Sequence, residues 1–141
     1  MRTPDVNVLL HAVNQDSPQH ATACAWIETS LARPAGVGFA WAAILGFLRL
    51  STRAGIFARP LPIEAALGVV DAWLHHPAAQ VLGTTDRHAG VLARLLIGAG
   101  SGGSLVGDAH LAALAIEHNA EIATFDRDFA RFAGLRWTLL K

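Results

Sequence analysis

Short apolar runs of strand length alternate with longer stretches of helical periodicity along the whole sequence, and that alternation restricts the fold more than any single residue does. "DVNVLL" at 5–10 reads as an opening strand. "SPQHATACAWIETSLA" at 17–32 reads as a helix, with Ser17 as N-cap, Pro18 in its first turn and apolar spacing at Ala21, Cys24, Ala25, Ile27 and Leu31. A buried helix is predicted over 39–55, ending at Gly55, and another from Pro62 to just before Pro77. "AAQVLG" at 78–83 is a short strand, followed by a helix over 85–100. After a glycine-rich loop come a helix over 107–119, the strand "AEIATF" at 120–125, one or two helical turns at 126–134 and a last strand, "LRWTLL", at 135–140. Strands separated by helices imply an α/β fold, a mostly parallel sheet covered on both faces. In such sheets functional residues collect at the carboxyl ends of the strands.

A chain of 141 residues is long enough for one core and too short for a second folded module, so residues 1–141 are expected to form a single domain. Mean hydropathy is +0.37, with 52% apolar residues, more than one small core hides, which predicts a partner or self-association. Lys plus Arg and Asp plus Glu stand at 11 each, so no global basic field steers the chain onto nucleic acid, and any such contact must be local. Cys24 is the only cysteine, which excludes an intramolecular disulfide and a cysteine-built zinc site and fits a reducing compartment. The amino terminus lacks a signal-type apolar core, and the most apolar stretch runs only from Val37 to Leu48. A cytoplasmic protein without a membrane segment is expected.

Four acids fall near the ends of different predicted elements. Asp5 lies in the first strand, Asp108 at the start of a helix, and Asp126 and Asp128 directly after the strand "AEIATF". Carboxylates crowded into one cleft repel each other unless a cation compensates them, and hard oxygen ligands select Mg²⁺ or Mn²⁺. Such an ion activates water and neutralises charge on a phosphate. Taken singly, Asp108 and Asp126 also suit helix N-caps, and Asp128 suits a first turn. An unpaired Asp5 inside an apolar strand is harder to explain structurally.

The seven histidines show no zinc-type spacing, and no GxSxG, dinucleotide fingerprint or P-loop is present. Trp26, Trp41, Trp73 and Trp137 sit in apolar periodic stretches and read as packing residues, while Glu64 reads as a solvated first-turn acid.

The opening "DVNVLL" and the carboxyl-terminal "GDAHLAALAIEHNAEIATFDRDFARFAGLRW", with the T-x-D-x-D-F pattern at Thr124, Asp126, Asp128 and Phe129, resemble PIN-domain proteins. Within them the chain is most similar to the VapC-type toxins of bacterial toxin–antitoxin pairs, in their actinobacterial branch. The resemblance spans essentially the whole chain. It implies a three-layer α/β/α sandwich and a Mg²⁺- or Mn²⁺-dependent endoribonuclease. Asp5, Asp108 and Asp126 would be the catalytic acids, with Asp128 completing the metal ligands. Thr124 and Arg49 would be the candidates for contact with RNA. It also implies a homodimer and a VapB-type antitoxin that enters the cleft. One position departs from the pattern: Gly46 stands where the family usually carries a glutamate ahead of a Phe-Leu-Arg-like stretch.

Two other readings compete. A non-catalytic or weakened PIN protein that mainly binds its antitoxin gains weight from Gly46. A haloacid-dehalogenase-like phosphatase would use "DRD" as its nucleophile motif, but that motif normally follows the first strand and precedes a long lysine-bearing domain. Here only 13 residues follow Asp128, and the sole lysine is Lys141.

Overall fold

The computed structural model describes residues 1–141. Its sheet has five parallel strands, β1 (Arg2–Pro4), β2 (Val37–Phe39), β3 (Ala79–Val81), β4 (Glu121–Thr124) and β5 (Trp137–Leu139), in the order β3-β2-β1-β4-β5. The chain winds outward from β1 through β2 to β3, then returns to the other side of β1 to lay down β4 and β5. Strand order therefore reverses between β1 and β4, and a crevice opens beyond their carboxyl ends.

Six helices flank the sheet: α1 (Val6–Val13), α2 (His20–Leu31), α3 (Trp41–Ser51), α4 (Ile63–Leu74), α5 (His88–Ala99) and α6 (Leu105–Glu117). Successive strand residues point to opposite faces, so each strand feeds two cores. Val37, Phe39 and Ala123 join a cluster with Leu9, Ile44 and Phe47 of α1 and α3, whereas Ile122 joins Leu95, Leu111 and Phe129 on the other side. This is a three-layer α/β/α sandwich.

Several expected boundaries move. The opening strand ends at Pro4, and most of "DVNVLL" is the helix α1, with Asp5 as its N-cap. Asp5 Oδ1 accepts the Val6 N–H at 2.7 Å, and the buried Val8 and Leu9 pack into the core. An N-cap and tertiary packing outweigh the weak strand preference of two valines. Residues 37–39, in part assigned to a helix, form β2, and Gly36 before it adopts φ +65 with its Cα against the Ala78 carbonyl, where a Cβ would stand 2.0 Å from the oxygen. Ser17 is not the cap of α2, which starts at His20; its hydroxyl accepts the Gln19 N–H and bonds His11 Nδ1 instead. α6 starts at Leu105, so Asp108 lies inside its first turn and is not an N-cap.

Candidate metal centre

Asp5 directly follows β1, Asp126 follows β4 by two residues, and α6 carries Asp108 to the same end of the sheet. Carboxylate oxygens of Asp108, Asp126 and Asp128 lie within 4.8 Å of one another. Asp126 also caps the short 3-10 turn at Arg127–Arg131, its Oδ1 accepting the Asp128 N–H at 2.9 Å, which draws the two acids of "DRD" to one side.

Asp5 is buried and differently held. Its Oδ1 takes the Val6 N–H, and its Oδ2 accepts the Thr124 hydroxyl at 2.8 Å. Burial pushes its carboxyl above the usual range, hydrogen bonds from Thr124 and Val6 oppose this, and the Asp126 charge adds to the rise. Asp108 is pushed up to about 6, first by burial and then by the charges of Asp5, Asp126 and Asp128. All four acids thus share one field, with Asp5 beside the tighter trio.

No arginine or lysine forms an ion pair with any of them, since the only carboxylate pairs within 4.0 Å are His75–Asp71 and His88–Glu117. Uncompensated oxygen donors of this kind fit a hard divalent cation held through a few carboxylates and its own waters. Asp108, Asp126 and Asp128 would hold it, with Asp5 at its flank.

Thr124 is fully buried, and its hydroxyl is occupied by protein: it donates to Asp5 Oδ2 and accepts from Asn7 Nδ2 at 3.3 Å and the Asp126 N–H at 3.0 Å. The expectation that Thr124 meets substrate gives way to a positioning role, because no hydroxyl lone pair or proton remains to offer. Asn7 completes this hub, its Oδ1 accepting the Phe125 N–H at 3.2 Å. Sequence reasoning missed Asn7; its spacing two residues after Asp5 was the available signal. It also missed an internal network in which Glu117 accepts from Thr85 and bonds His88 Nδ1 at 2.6 Å, while His88 Nε2 meets His110 Nδ1 at 2.9 Å.

Arg49 is exposed and lines a cavity of about 150 Å³ together with Asp5, Gly46 and Asp108. Gly46 therefore does face the acid site. Yet a Cβ there would stand 2.9 Å from Val6 Cγ2, so any side chain at position 46 requires Val6 to shift.

Strand order, switch-point acids and helical cover together define a PIN fold, and residues 3–135 match the PIN domain family. The chain is 50% identical over 137 residues to "Ribonuclease VapC37" of Mycobacterium tuberculosis, covering 97% of this chain and 95% of that protein. It is 41% identical over 138 residues to "Ribonuclease VapC33" of the same species, covering 98% and 96%. Among solved structures, VapBC2 from Rickettsia felis, bound to a promoter DNA fragment, superposes with TM-score 0.70 at 15% identity over 99% of this chain and 98% of that one. VapC20 of M. tuberculosis, described as a sarcin-ricin loop cleaving toxin, gives 0.69 at 18% identity, covering 96% of each chain. The chain belongs to the PIN-domain family, in its VapC branch.

Proposed function

We propose that this chain, as one PIN domain over 1–141, is a divalent-metal-dependent endoribonuclease and the toxin of a VapBC-type pair, acting in the cytoplasm. The observation that carries the reading is the uncompensated trio of Asp108, Asp126 and Asp128 at the switch point, beside a buried Asp5, in a chain half identical to a named VapC ribonuclease. A bound Mg²⁺ or Mn²⁺ would supply an activated water and neutralise charge developing on the phosphate. The protein's own part is positional. Asp108, Asp126 and Asp128 hold the ion, and Thr124 and Asn7 fix Asp5 and the turn into Asp126 by hydrogen bonds. Arg49 at the cavity rim offers a guanidinium to an RNA phosphate.

A VapB-type antitoxin is the proposed partner. An apolar groove of about 300 Å³ between α1, α2 and α4, lined by Ala12, Val13, Ile27, Val69 and Trp73, supports the docking of an amphipathic segment. Exposed Trp41, Leu45, Ile63 and Leu67 on α3 and α4 support a homodimer. A second reading, a protein of weakened activity that mainly binds antitoxin, is favoured by one observation: α3 contributes Gly46 and no carboxylate to the cavity.

The test is cleavage of RNA by the purified protein with Mg²⁺ or Mn²⁺, with excess chelator, and with Asp126→Asn. Metal-dependent cleavage lost in the variant is expected. Cleavage that persists in chelator overturns the metal reading, and no cleavage at any metal concentration, with antitoxin binding retained, favours the second.

A further inference from the structure

The exposed stripe of α3 carries residues that answer each other across a twofold axis. Ala43, Ile44, Phe47 and Ser51 are the buried positions of this helix. Trp41, Leu45 and Arg49 stand on its solvent side, each four residues after the last, and so form one ridge. Trp41 is 46% exposed and Leu45 57%, and the Trp41 ring pairs with no other ring. The Arg49 guanidinium forms no ion pair, although Asp5 and Asp108 line the same recess. An aromatic and a cationic residue thus lie at equal distances on either side of an aliphatic centre, Leu45. When a second copy of α3 crosses there in antiparallel sense, Leu45 meets its own equivalent, and Trp41 and Arg49 meet each other twice, because a twofold contact is self-complementary. An indole face attracts a guanidinium. A parallel crossing would instead set Arg49 against Arg49.

On the ribonuclease and homodimer readings above, we infer that two copies of this chain pair through α3 and that the partner subunit's Trp41 belongs to each acid site. Its ring stacks on Arg49 at the rim of the recess and holds the guanidinium ready for an RNA phosphate. Trp41 is therefore a positioning residue that acts in trans, and a single copy has an incomplete site.

Two measurements on the whole chain test this. The first uses Leu45→Cys in a Cys24→Ala background, because a disulfide needs its two Cα atoms within about 7 Å. The control is Ile97→Cys, at the 80% exposed Ile97 of α5. Mild oxidation should join two copies of the Leu45→Cys protein and leave the control unjoined, and Leu45→Lys should sediment as a monomer. The second measurement follows RNA cleavage. Trp41→Ala should raise KM about fivefold with kcat kept, the effect of losing one aromatic contact to a cation. Equilibration with excess inactive Asp126→Asn protein, which retains Trp41, should return KM to the parent value through mixed dimers. The same inactive protein carrying Trp41→Ala as well should not. Cross-linking no better than the control overturns the α3 pairing while the ribonuclease reading stands, as does a monomer whose Leu45→Lys variant loses only antitoxin binding. Dimers whose KM the Asp126→Asn protein fails to restore overturn the shared site. A protein that cleaves no RNA overturns the ribonuclease reading together with the role of Trp41 in trans, and the cross-link alone then decides the pairing.

Discussion

Replacing Asp108 by Asn should make the metal-free protein more stable at neutral pH. The Asp108 carboxyl is raised from 3.8 to about 6, which means that the folded state disfavours its charge relative to the unfolded chain. A shift of roughly two units corresponds to about 3 kcal/mol as a ceiling. The side chain is only partly buried, so solvent screening reduces the expected effect to about 1–2 kcal/mol. An asparagine keeps the shape and removes the charge, raising Tm by about 3–8 °C. The sign follows from linkage: an acid whose folded pKa is raised is bound to its proton more tightly in the native state. Its penalty is absent below 3.8, grows as pH rises and is complete above about 6. The stability gap between variant and parent should therefore open across that interval and close in acid. Saturating Mg²⁺ should reverse the order, since binding to the native state stabilises the parent by about 2.7 kcal/mol at a hundredfold excess over Kd. Thermal melts of both proteins across pH, with and without Mg²⁺, decide it. A variant no more stable than the parent at neutral pH without metal, or a gap independent of pH, refutes the reasoning.

Asp5→Ala should act in the opposite direction and lower stability by about 1–3 kcal/mol, because it removes the N-cap of α1 and strands the buried Thr124 hydroxyl; chemical denaturation measures this. Thr124→Val keeps the volume but leaves Asp5, Asn7 and the Asp126 N–H without their shared partner, so it should cost about 1–3 kcal/mol and weaken Mn²⁺ binding in calorimetry. Gly46→Glu should destabilise by about 1–3 kcal/mol in thermal unfolding, because its Cβ meets Val6, and Val6→Ala in the same chain should recover most of the loss.

The strand–helix alternation made the sandwich legible, and the acids following β1 and β4 were legible because switch-point sites follow from topology. The first boundary failed where local signals were weakest. "DVNVLL" carries β-branched residues at strand-like spacing, and only the contact of Val8 and Leu9 with the core, together with the Asp5 cap, makes it helical. The reading of Asp108 as a cap failed because α6 begins at Leu105, within a segment whose glycines suggested loop. Thr124 belonged to a recognisable pattern, but its role depends on hydrogen bonds to residues 117 to 119 positions away, which sequence spacing does not reveal. The obstruction of Gly46 by Val6 is likewise a contact between two helices. What a residue touches across the chain is decided by the tertiary fold, and local spacing does not encode it.

The most direct test of the acid cluster as a metal centre is calorimetric titration of Mn²⁺ into the protein and into Asp108→Asn and Asp126→Asn. Saturable binding by the parent and a large loss of affinity in each variant are expected, with the fold intact by circular dichroism. Equal affinity in all three proteins would contradict it.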